Sequence, residues 1–137
     1  MLINKVREFT SACNEKLPEA PIPMDRKQIQ FLREMVNSEF DELEEALEEQ
    51  TLEEIVVGQY DALIDSLYYT ADAAVRQGFN LDPVFDEVHK ANLRKIVDGK
   101  VIKNEAGKVL KPEGWYGPEE GMKSEIHKHM KVGSWSE

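Results

Sequence analysis

"VNSEFDELEEALEE", residues 36–49, decides how the chain is read, because two of its carboxylates point the wrong way. On a helix each residue advances about 100°, so Leu32, Met35, Val36, Leu43 and Ala46 all fall within about 60° of Glu39. Asp41, Glu44 and Glu48 lie on the far side, where charge is solvated, and Glu45, Glu49 and Glu53 are assigned the same role. Glu39 lies inside the apolar arc and Glu42 on its flank, about 60° away, between Phe31 and Met35. An ionised carboxylate taken out of water costs several kcal/mol unless something pairs it.

The answer sits on the next predicted helix. "Thr51…Glu54" is a capping-box pattern after a very short turn, so that helix folds back antiparallel and runs to about Gln77, ending at Gly78. Asp61, Asp65 and Asp72 share one stripe of it with Tyr68, a face a bundle would normally fill with leucine. Two helices thus each offer inward carboxylates: Glu39 and Glu42 from one, Asp61 and Asp65 from the other. Converging anions raise one another's pKa and oppose folding unless cations sit among them. An all-oxygen set favours Mg²⁺ or Mn²⁺, and four carboxylates suit more than one ion with positions left for substrate. The competing reading is an internal salt bridge, with Arg33 or Lys95 as partner, and stripe geometry alone weighs the two evenly. Asp72 is read as solvated.

The rest of the pattern frames that pair. Leu2, Val6, Phe9 and Cys13 mark a first helix over about residues 2–15, broken by the prolines of "LPEAPIPM". Asp25 with Gln28 opens the long helix that carries Glu39. Asp82 and Pro83 open a fourth helix expected to reach about Asp98 and stop at Gly99. On it His89 falls among Phe85, Leu93 and Ile96, while Asn92 and Lys95 form a polar edge suited to a base edge or a phosphate. Arg94 and Lys90 read as surface. "KVIK" and "KVLK" around "NEAG" read as a β-hairpin over residues 100–111, whose lysines either protect an edge or bring positive charge to phosphates. Trp115 and Tyr116 read as loop pins. The expected fold is all-α: an antiparallel four-helix bundle-like subunit with a short hairpin near the C-terminus. It occupies residues 1–121, with a loosely held polar tail over 122–137 holding at most one helical turn.

Composition narrows the function. The chain has 137 residues and a net charge of −10, which argues against binding nucleic acid through its phosphate backbone. No apolar run approaches a membrane span, and a single cysteine, Cys13, suits a reducing cytoplasm. Gly107–Lys108 is followed by Val109 and is no phosphate-binding Walker loop. No dinucleotide fingerprint, Glu-x-x-His di-iron pattern or Ser/His/Asp set stands out.

Glu39-Phe-Asp-Glu42 followed by Asp61-Ala-Leu-Ile-Asp65 resembles the ExxE…ExxD signature of the all-α nucleoside triphosphate pyrophosphohydrolases, the MazG-like group. "DALIDSLYYTADAAVRQGFNLDPVFDEVHKANLRKI", residues 61–96, and the "GKVIKNEAGKVLKP" that follows are closer still to its phosphoribosyl-ATP pyrophosphohydrolase-like branch. The likeness spans about residues 1–120. It implies hydrolysis of the α–β phosphate bond of a (d)NTP to (d)NMP and pyrophosphate with Mg²⁺, in a homodimer or homotetramer. Glu39, Glu42 and Asp65 would be metal ligands, with Glu39 or Glu42 also handling the attacking water. His89, Asn92 and Lys95 match an HxxNxxK pattern that shapes the nucleotide pocket, and Lys108 and Lys111 would join them at the substrate. The chain departs from the pattern twice. Ala62 stands where the third acid belongs, so Asp61 must substitute, and Ser38 replaces a glutamate often found there. Two rivals stand: phosphoribosyl-ATP as the substrate, or a non-catalytic bundle that binds metal or a partner.

Overall fold

The computed structural model describes residues 2–13 and 16–130, and the chain divides into two compact units, Met1–Phe79 and Asn80–Glu137. The first unit contains α1 (Leu2–Ala12), α2 (Arg26–Glu45), a 3₁₀ turn (Ala46–Glu48) and α3 (Leu52–Arg76). Both halves of the expected capping box open α2. Asp25 Oδ1 accepts from the Gln28 amide at 2.8 Å, and Gln28 Oε1 accepts from the Asp25 amide at 2.8 Å. At the start of α3, Thr51 Oγ1 accepts from the Glu54 amide at 3.1 Å.

The α2–α3 hairpin closes tightly because its contact positions are small. A Cβ on Gly58 would come within 2.8 Å of the Ala46 Cβ, so only glycine lets the start of α3 lie on that turn. Ala62, Ala71, Ala74 and Val75 are the buried residues of α3, which packs against both α1 and α2. The helix ends in a Schellman pattern: the Gly78 amide donates to Val75 O and the Phe79 amide to Ala74 O, with Gly78 at φ +73°. The proline-rich connection is stitched to this end. The Ile22 amide donates to Gln77 O, and buried Gln77 Nε2 donates to Ile22 O and Pro23 O.

The second unit contains α4 (Leu81–Leu93) and α5 (Glu119–Lys128), which pack on each other. Here the structure departs from the sequence expectations. The fourth helix stops at Leu93, not near Asp98: the Lys95 and Ile96 amides donate to Asn92 O and Leu93 O, three residues back, and Asp98 and Gly99 then adopt φ +52° and +75°. Val97 and Lys100 exchange backbone hydrogen bonds across that pair, the signature of a tight turn with two left-handed central residues. The expected hairpin over 100–111 is not seen. Its remnant is an isolated bridge, Lys103 to Val109, around a loop folded by Asn104 Oδ1, which accepts from the Ala106 and Lys108 amides. Two short segments with exposed Val101 and Ile102 have no face to bury, and an isolated two-stranded ribbon is marginal.

α5 begins at Glu119, in the irregular stretch expected before the tail, and runs to Lys128, into the segment assigned to a loose tail. Gly121 allows its close approach, since a side chain there would run into the Glu87 carboxylate. Residues 131–137 of that expected tail lie outside the described residues. The all-α class stands, and no sheet forms among the described residues. The four-helix bundle is not confirmed: three helices build one unit and two the other. Among the described residues no helix is long and apolar enough to cross a membrane.

Candidate active site

The first unit places the four acidic residues on facing helices, as their spacing requires. Glu39 on α2 is buried at 7% exposure, Asp65 on α3 is half-buried, and Glu42 and Asp61 are exposed. Glu39 Oε2 is buried with no hydrogen-bond partner. Burial raises the Glu39 carboxyl pKa above its ordinary 4.5. A side-chain hydrogen bond with Glu42 raises it further, as do the charges of Glu42, Asp65 and Asp61. Asp65 is raised above 3.8, by burial first and then by the charges of Asp61 and Glu42. The four therefore feel one another as a single electrostatic group.

Within the first unit Arg33, one named partner of the salt-bridge alternative, donates instead to Gln30 Oε1 at 2.8 Å. Nor is the acidic group a preformed chelate. Among the described residues no set of three or more His, Cys, Asp or Glu side chains is arranged to hold a metal ion. The donor chemistry still fits a hard cation: the four side chains offer only oxygens, and one buried carboxylate oxygen lacks any partner.

The displaced third acid has a structural rationale. Ala62 is only 1% exposed and belongs to the core, so a carboxylate there would lose its contact with water. Asp61 is on the solvent side, yet its charge reaches both Glu39 and Asp65. Ser38 is exposed.

Asp72, expected to be solvated, instead ties two helices together. Its Oδ1 accepts from the hydroxyl of fully buried Thr10 on α1 at 2.5 Å, and its Oδ2 from Arg76 Nε at 2.9 Å. Thr10 was not singled out in the sequence, although a hydroxyl on the apolar face of α1 needs a partner. Tyr68, on the aspartate stripe, meets Phe9 of α1 edge to face with ring centroids 5.9 Å apart.

The second unit holds the remaining candidates. His89 is exposed, contrary to its expected place within an apolar face, because that face itself is uncovered: Phe85 is 68% exposed, and Leu93 and Ile96 about half. Only Ala91 is buried on α4. Asn92 lies in the last turn of the helix and Lys95 in the turn beyond it, so their edge is a helix terminus. Lys108 and Lys111 are exposed. Trp115 pins its loop as expected, donating from Nε1 to Ala91 O at 2.8 Å, with Lys95 Nζ and Lys111 Nζ each just over 5 Å from the ring. Arg94, read as surface, stacks 3.9 Å above the Tyr116 ring and donates to the carbonyls of Tyr116 and Gly117. It is a staple between α4 and the segment before α5.

No curated protein matches the chain. A family model, phosphoribosyl-ATP pyrophosphohydrolase, matches residues 6–92, taking in both acid-bearing helices, His89 and Asn92. Because that match covers well over half of the sequence, the chain belongs to the phosphoribosyl-ATP pyrophosphohydrolase family, MazG-like all-α hydrolases that act on phosphoric anhydride bonds.

Proposed function

We propose that the protein is a Mg²⁺-dependent nucleotide pyrophosphohydrolase that cleaves the α–β bond of a (d)NTP, leaving (d)NMP and pyrophosphate. The observation that carries this reading is the buried, partnerless Glu39 Oε2 among four mutually repelling carboxylates, in a segment that matches this hydrolase family. Glu39, Glu42, Asp61 and Asp65 would hold Mg²⁺ or Mn²⁺, with room for more than one ion. When bound, the metal supplies positive charge to the triphosphate oxygens and lowers the pKa of water.

The chain's own groups do the rest. Glu39 and Glu42 orient the attacking water and accept its proton as its oxygen bonds to the α-phosphorus. The Pα–O–Pβ bond breaks and pyrophosphate leaves with the bonding pair. In the second unit, Lys95, Lys108 and Lys111 are proposed as phosphate contacts, and His89 and Asn92 as substrate contacts. The assembly is proposed to be a homodimer or homotetramer in the cytoplasm. In support, Val57, Leu63, Ile64 and Leu67 of α3 each leave about half or more of their surface exposed, more apolar surface than one helix of a monomer normally leaves open.

The family match favours a second reading in which phosphoribosyl-ATP, with the same triphosphate group, is the substrate. One experiment decides. Each NTP, each dNTP and phosphoribosyl-ATP is incubated with protein and Mg²⁺, and the products are identified. Pyrophosphate release from one class assigns the substrate. Release from none, with metal still bound, favours a non-catalytic bundle.

A further inference from the structure

One helical turn from the carboxylates, the α2–α3 pair lines a half-open cavity of about 300 Å³ that the four acids leave unused. That volume lies at the small end of ligand sites, about 300–1,000 Å³. Its walls include Met24, Phe31, Met35, Tyr69 and Ala73, together with exposed Lys27. Met35 precedes Glu39 by one turn of α2, and Tyr69 follows Asp65 by one turn of α3, so the cavity begins about 6 Å along the helices from the acids. Two aromatic rings and two thioethers suit a flat, polarisable ring better than a sugar or a phosphate. The polar residues deeper in are already engaged: Asp72 with Thr10 and Arg76, Gln77 with Ile22, Pro23 and Gln28. The carboxylates and the cavity thus sort by chemistry, one end suited to a metal-bound polyphosphate and the other to an aromatic ring.

We infer that this cavity is the nucleobase subsite of the enzyme: Phe31, Tyr69, Met24 and Met35 hold the base, and the ribose spans the turn to the phosphates at the acids. The assignment rests on the nucleotide reading above. Lys27, which has no partner among the described residues, offers its ammonium to a ring nitrogen or carbonyl of the base.

The test uses the full-length protein with ¹³C-methyl methionine, titrated with AMP and, separately, with ribose 5-phosphate, each with Mg²⁺. AMP is expected to move the Met24 and Met35 methyl signals by the ring current of the base while Met122 and Met130 stay put, and ribose 5-phosphate to move none of them. Identical responses to both probes, or no response at Met24 and Met35, would overturn the assignment. Ala73→Leu, which fills the cavity, is expected to raise KM for the hydrolysed nucleotide about tenfold while kcat falls less than KM rises. An unchanged KM in folded Ala73→Leu would also overturn it. If AMP shifts Met24 and Met35 yet no nucleotide is hydrolysed, the subsite stands and the catalytic reading falls.

Discussion

Glu39 and Glu42 stand one turn apart on α2, and the side-chain hydrogen bond between them adds to burial in raising the Glu39 carboxyl pKa. Without a cation, burial and the neighbouring like charges therefore work against the ionised form of Glu39, and this has consequences for stability.

The first consequence is a pH slope. In the unfolded chain Glu39 and Asp65 ionise near their ordinary 4.5 and 3.8, and in the fold both are raised. The folded state then binds more protons than the unfolded one as pH rises from those values through the raised ones, so these groups lower stability over that window and above it. In EDTA the melting temperature is expected to rise as pH falls from about 7.5 to 5, and Glu39→Gln should flatten the slope and melt higher at neutral pH. A mutant that melts lower there would mean that the carboxylate is favourably paired after all.

Divalent ions should reverse the penalty. Mg²⁺ that binds only the folded state adds about 2.7 kcal/mol at a hundred times its Kd. Thermal melts with and without Mg²⁺ are expected to show a clear upward shift in the parent protein. Asp65→Asn should lose most of that shift with helix content unchanged. A full metal response in the mutant would remove Asp65 from the ligand set.

Thr10 tests the tie between α1 and α3. Thr10→Val keeps the shape but leaves Asp72 Oδ1 without its hydroxyl donor, at an expected cost of roughly 1–3 kcal/mol. Denaturant melts read this directly. A loss below about 0.5 kcal/mol, the range of neutral surface changes, would show that water replaces the hydroxyl without penalty.

Much of this was legible because local rules and tertiary packing agreed. Asp25, Gln28 and Thr51 marked helix starts, Gly78 marked a stop, and the angular position of Glu39 announced a buried acid before any packing was known. The misses have physical reasons. Helical periodicity through Ile96 and Val97 hid the left-handed Asp98–Gly99 turn, although an Asp-Gly pair is a recognised hairpin signal. Alternation in "KVIK" and "KVLK" showed which residues favour extended backbone, but not that no third strand exists to complete a sheet. An apolar helix face implies a cover for His89, but no pattern within one helix says what supplies it. The roles of Thr10 and Arg94 depend on partners 62 and 22 residues away, beyond any local window.

The central claim is that water attacks a triphosphate so that pyrophosphate leaves. Phosphorus NMR of the hydrolysed nucleotide in Mg²⁺, with the parent protein beside Asp65→Asn, tests it most directly. The account expects monophosphate and pyrophosphate to grow together in equal amounts with the parent, and neither to grow appreciably with the mutant. Diphosphate with orthophosphate as the main products of the parent, or undiminished turnover by Asp65→Asn, would contradict it.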